Sequence, residues 1–176
     1  MGKFAPYKVN LASMTEGHHE QDFVCDTQFF RNLEHDEIIK SDVSAHLDTI
    51  RRGDVYDLTF TIRGEIEIPC DRCLDPMPHE VDTVYRLKVQ YGEDYDDGTD
   101  NLLTIPYSDT CLNVAYILAD TILLTIPLRH VHPAGKCNRQ MAAVLHRHSG
   151  AGEDTDMDET FGDDINADSD GADSED

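Results

Sequence analysis

Cys70-Asp-Arg-Cys73 sets two thiols three positions apart, and His130, His132 and Cys137 follow in a later segment. Two thiolates at this spacing grip one face of a tetrahedral metal ion; an imidazole and a third thiolate from a remote segment close the other face. Zinc is the ion these donors suit. A Cys-x-x-Cys pair also serves as a redox dithiol, or persists without metal as a structural remnant. The redox form sits where a strand feeds a helix, whose N-terminus lowers the pKa of the first thiol. Pro76 and Pro78 follow Cys73 here, so no such helix begins. His130 and His132 lie on one side of an extended chain, and periodicity leaves both as candidate ligands beside Cys137.

The other titratable residues show no comparable pattern. Cys25 and Cys111 sit among apolar neighbours and read as small core residues. The histidines at 18, 19, 35, 46, 79, 146 and 148 read as solvated or structural. No nucleophile elbow, phosphate-cradling loop or His-Glu-x-x-His helix is present. A zinc ion with four protein ligands has no open position for water, which favours a structural role and a protein that is not an enzyme. A metal-dependent hydrolase would need water in place of one ligand.

The elements that must position these ligands begin with a long strand. From Val55 to Cys70, Tyr56, Leu58, Phe60, Ile62, Ile66 and Ile68 alternate with polar residues, and Gly64 marks a bend or bulge. A second alternation runs from Val81 to Tyr91. Leu74 to Pro78 is expected to connect the two as a hairpin, since proline cannot continue a ladder. Val43–Ile50 makes a third strand of the meander, with turn chemistry at Arg51-Arg-Gly-Asp54. Residues 7–11 and 21–23 add edge strands, Asp26–Leu33 a helical turn, and Gly92–Asp100 an exposed loop. From Asn113 the period changes: Val114, Ile117, Leu118, Thr121 and Leu124 predict a helix stopped by Pro127. Met141–His148 suggests a second, shorter helix. The class is α+β, a mostly antiparallel sheet with one main packed helix.

Charge divides the chain. Residues 151–176 hold 12 Asp or Glu and no Lys or Arg, out of a net charge of −22 for the 176 residues. Such a segment has too little apolar surface to offset its ordering entropy, so a folded domain over residues 1–150 and a disordered acidic tail over 151–176 are expected. No stretch is long and apolar enough for a membrane helix, and the N-terminus carries no apolar signal core. Five cysteines, an odd number, fit a reducing compartment better than a paired disulfide framework. A cytoplasmic protein is expected. Nucleic-acid binders gain affinity by neutralising phosphates with Lys and Arg, so direct RNA contact is disfavoured for this chain.

The segment Gly64-Glu-Ile-Glu-Ile-Pro-Cys-Asp-Arg-Cys73, the helix from Asn113 to Leu124 leading into Ile126-Pro127, and Val131-His132 with four residues before Cys137 resemble the YceD family, the bacterial large ribosomal RNA subunit accumulation proteins. The resemblance covers roughly residues 40 to 140. It singles out His132 over His130, so the implied metal ligands are Cys70, Cys73, His132 and Cys137. It also implies a part in ribosome biogenesis, through accumulation of large-subunit ribosomal RNA. Ile126 where a Leu is usual, His130 where a Pro can occur, and the acidic tail depart from the family pattern. The acidic charge suits a basic ribosomal protein or a pre-ribosomal particle as partner, with the chain masking the basic surface before RNA is reached.

Overall fold

The computed structural model describes residues 2–99, 101–133 and 135–148. The acidic segment expected to be disordered lies outside them. Among the described residues the strands are β1 (Lys8–Val9), β2 (Gly17–Asp26), β3 (Lys40–Arg52), β4 (Val55–Pro69), β5 (Pro76–Gly92), β6 (Asp96–Thr99), β7 (Leu102–Pro106) and β8 (Leu112–Asn113). Three helices accompany them: α1 (Thr27–Asn32), α2 (Ala115–Leu123) and α3 (Arg139–His148). The main sheet runs β2-β3-β4-β5-β7-β6, and β1 pairs with β8 in a second, two-stranded sheet. The result is the expected α+β arrangement of a mostly antiparallel sheet with α2 packed against it.

The alternation in β4 does what its period requires. Tyr56, Leu58, Phe60, Ile62, Ile66 and Ile68 are buried, joined by Val43, Ala45 and Leu47 of β3 and by Phe23 and Cys25 of β2. Phe29 and Phe30 of α1 and Leu118 and Ile122 of α2 close the layer. At roughly 2 kcal/mol for each buried Leu or Ile, this inner face outweighs the unfavourable charge pairs on the outer face, which cost up to about 1 kcal/mol each. Gly53 takes the positive φ, 63°, that a two-residue turn between Arg52 and Val55 needs. Asp26 accepts a hydrogen bond from the Phe29 N–H at 2.8 Å and so caps α1.

Several expectations are corrected. Pro76 and Pro78 do not form the connection; they belong to β5, opposite Pro69 and Glu67. The carbonyl of Glu67 accepts from Ile39 on the β3 side at 2.8 Å, so Glu67 opposite Pro78 is a pair without mutual hydrogen bonds, and proline forfeits no ladder bond there. The turn is Cys70–Asp75 instead. Gly64 makes no bulge, since β3, β4 and β5 stay in continuous register across it. Its φ of 152° permits a close approach: a Cβ there would stand 2.2 Å from the Asp42 carbonyl oxygen.

The loop expected at Gly92–Asp100 contains β6, the return strand that lets β7 run parallel to β5. Helix α2 buries Ala115, Leu118, Ala119 and Ile122, while Leu124, counted on the apolar face, stands 85 % exposed just past the helix end. At the start of α2, Asn113 Oδ1 accepts from the Ala115 N–H at 3.1 Å. Cys25 is buried as read, but Cys111 is exposed. In α3, Val144 is exposed. No helix among the described residues is long and apolar enough to cross a membrane.

Candidate metal centre

The centre forms where the β4–β5 turn meets the segment after α2. Cys70 follows the last residue of β4, and the chain reverses there: the Leu74 N–H bonds to the Cys70 carbonyl at 2.9 Å, and the Cys70 N–H to the Asp75 carbonyl at 2.9 Å. Leu74 adopts a φ of 62° to complete this knuckle. Both sulfurs are buried, at 0 % and 2 % exposure for Cys70 and Cys73. Beyond Pro127, the irregular stretch 128–133 meets the knuckle and delivers His132, with Cys137 following.

One donor atom from each of Cys70, Cys73, His132 and Cys137 lies within 4.8 Å of every other. These are the four ligands the resemblance implied, brought together from two segments. His132 Nδ1 faces the Cys73 sulfur at 3.4 Å. Its other ring nitrogen, Nε2, is 3.3 Å from the Pro76 carbonyl. A metal-binding histidine needs such an arrangement, with one nitrogen free for the ion and the other held by a carbonyl that fixes the tautomer. The carbonyl comes from one of the two prolines misread as connection.

The electrostatics are those of crowded sulfurs. Burial pushes the Cys70 thiol up, but hydrogen bonds from the backbone N–H groups of His132, Arg72 and Cys73 and from the Cys73 side chain prevail, leaving it at about 6. The His132 N–H reaches the Cys70 sulfur at 3.4 Å. Hydrogen bonds with Cys70 and Cys73 raise the His132 imidazole above its ordinary range. Burial, followed by the neighbouring sulfurs of Cys73 and Cys70, raises Cys137. Protons here are held between groups that would share a cation. Three thiols and an imidazole converging at this spacing fit a tetrahedral zinc site with every position taken by protein.

His130, the alternative ligand, has a different task. Its backbone N–H donates to Asp71 Oδ2 at 2.8 Å, its carbonyl accepts from the Asp71 N–H at 3.0 Å, and its Nε2 lies 3.3 Å from Asp71 Oδ1. Asp71, inside the Cys-x-x-Cys, and His130 thus clasp the two halves of the centre together. Sequence reasoning missed this role. The signal for it is a carboxylate between the two cysteines and a second histidine two positions before the ligand.

A second group, His18, Glu20 and Asp48, also lies within 4.8 Å, on the outer face of β2 and β3. Its donors already engage one another, with His18 Nε2 2.9 Å from Asp48 Oδ1 and His18 Nδ1 3.7 Å from Glu20 Oε1. It is a surface ion-pair ladder built by the register that sets Glu20 opposite Asp48 and Asp22 opposite His46.

The basic residues near the β3–β4 turn engage groups of the chain itself. Arg51 bonds to the Gly53 and Met14 carbonyls and lies over the Tyr56 ring, while Arg52 and Lys88 both pair with Asp57.

A family model described as large ribosomal RNA subunit accumulation protein YceD matches residues 58–168. The match spans all four residues of the candidate centre and α2 and begins inside β4. No curated protein and no solved structure matches this chain.

Proposed function

The chain belongs to the YceD family of large ribosomal RNA subunit accumulation proteins, and we propose that it supports accumulation of large-subunit ribosomal RNA as a non-enzymatic cytoplasmic assembly factor whose surface is held in shape by structural zinc. The observation that carries the structural part is the donor set: Cys70, Cys73, His132 and Cys137 leave a tetrahedral ion no position for water or substrate. Zinc would bind as thiolate-ligated ion, supplying a cross-link between the β4–β5 turn and the segment after α2. The chain's own residues prepare that link. Backbone N–H groups stabilise the Cys70 thiolate, Pro76 orients His132, and Asp71 with His130 aligns the two segments.

Charge supports a protein partner over direct RNA contact. On the outer face, Asp26, Asp42, Glu65 and Glu80 stand opposite one another across four strands. Like charges in directly opposed positions destabilise a sheet, and no cation pairs with this row among the described residues. A basic ribosomal protein, or a pre-ribosomal particle presenting one, is the complement. The acidic chain would mask its basic surface until RNA is engaged.

The test has two arms. Purified protein should contain about one zinc per chain, lost in Cys73→Ser; metal-free protein prepared without chelator would remove zinc from the account. Depletion in cells should lower large-subunit particles in a sucrose gradient, with rescue by the unaltered chain. An unchanged profile would refute the assembly role.

A further inference from the structure

Strand β5 is paired along its length on one side only. Toward β4 its partners run from Pro76 to Gln90; toward β7 they run only from Lys88 to Gly92. Strand parity tells which backbone groups are left over. The Lys88 N–H bonds to the Asn101 carbonyl on the β7 side at 2.8 Å, so the N–H and C=O groups of Glu80, Asp82, Val84 and Arg86 point the same way. Pro76 shares that parity, and its carbonyl is taken by His132. Between the His132 contact and β7, these four residues meet no backbone partner among the described residues, and all four are exposed. An edge of this length is a template for another strand.

The space beside the edge is shaped. Two grooves of about 540 and 460 Å³ share Tyr85, Ile117 and Asp120 and so form one trough between β5 and α2. Its lining includes the carboxylates of Asp82, Asp97 and Asp120 and no Lys, Arg or His. Asp82 also pairs with Arg63 at 3.2 Å. At one wall stand two exposed apolar side chains, Val84 and Leu124.

We propose that this trough is a strand-addition site, in which an extended, basic segment of a partner protein, apolar at alternate positions, pairs with the Glu80–Arg86 edge in line with β7. The inference rests on the assembly-factor reading and names how the partner would be held. Backbone pairing supplies affinity, and alternate side chains reach either Ile117 and Leu124 beneath or the carboxylates of Glu80 and Asp82 above. A helix cannot satisfy a row of edge N–H groups. A second copy of this chain is opposed by its net charge of −22, and carboxylates on the edge repel it locally. RNA meets the same carboxylates.

The experiment uses the full, zinc-loaded chain labelled with nitrogen-15, and the peptide acetyl-(Lys-Val)4-amide as probe. Binding should slow hydrogen exchange at the Asp82, Val84 and Arg86 amides, and the same peptide N-methylated at alternate residues should not bind. Val84→Pro removes an edge donor while sparing the β4 ladder; it should weaken binding at least about tenfold with the circular dichroism and melting temperature unchanged. Asp120→Lys should weaken it too and flatten its salt dependence. Absence of binding, protection at β2 or another segment instead, or equal affinity in Val84→Pro would overturn the proposal. So would an oligouridylate protecting these same amides, or self-association through this edge in sedimentation. Failure here alongside loss of large-subunit particles on depletion would leave the assembly role standing and move the contact elsewhere. Edge protection with an unchanged particle profile would refute the role and keep the site.

Discussion

Asp71 and His130 hold each other reciprocally, each backbone N–H finding an acceptor on the other residue, 3.0 Å in one direction and 2.8 Å in the other. Neither belongs to the four-donor cluster, yet the pair fixes the approach of the segment carrying His132 to the knuckle carrying Cys70 and Cys73.

Asp71→Ala should therefore leave the sheet folded while lowering zinc affinity about 10–100-fold, the usual cost of removing an outer partner of a metal site. Competition against a chromophoric chelator gives the number. Asp71→Asn keeps an oxygen for the His130 N–H and should recover part of the loss. Wild-type affinity in Asp71→Ala would show that the clasp has no part in the centre.

Gly64→Ala tests the crossing of β3 and β4. The added methyl would meet backbone atoms, the Asp42 oxygen at 2.2 Å and the Val43 Cα at 2.6 Å, and φ there is 152°. Neither obstacle is the yielding tip of a side chain, so the strands must part. A loss of about 3 kcal/mol or more in denaturant unfolding is expected; a change below about 1 kcal/mol would mean that the register is easily shifted.

His46 Nδ1 donates to Asp22 Oδ1 at 2.6 Å, and its pKa is raised above 6.5, chiefly by that hydrogen bond and with added help from Asp48 and Glu20. A raised folded-state pKa contributes stability fully present below the unfolded value of 6.5 and lost as pH climbs through the folded value. The carboxyl-bearing ladder on β2 and β3 should thus loosen on the alkaline side of 6.5. Titration followed by NMR should place the His46 midpoint above that value, and Asp22→Asn should lower it. A midpoint at or below 6.5 in the unaltered protein would contradict the contact.

The long strands were legible because burial on one face leaves a strict period of two, which Tyr56 to Ile62 display without interruption. Pro76 and Pro78 were not, because a ladder tolerates proline wherever the N–H would face an open edge, and edge status belongs to the assembled sheet. β6 and β7 escaped notice for a related reason: Asp96–Thr99 is polar, and its partner Leu102–Pro106 is too short for a period to declare itself. Leu124 has helical spacing, but the helix ends at Leu123, and spacing does not say where the neighbour stops. For the centre, the knuckle pair and Cys137 were visible as residue types. His130 and His132 share one parity, so their separation into clasp and ligand depends on Asp71 and Pro76, which only the folded turn brings near.

The two halves of the centre are also separated in time. Strands β3, β4 and β5 are consecutive and joined by tight turns, so the meander and its Cys70–Cys73 knuckle are complete in a growing chain before α2, His132 and Cys137 have been made. At ~5–20 residues per second, translation leaves that knuckle as an open two-cysteine half-site for several seconds. Metal captured in that interval would be held weakly and would exchange. Tight capture would wait for the second segment, so a fully coordinated ion would mark a chain synthesised past Cys137.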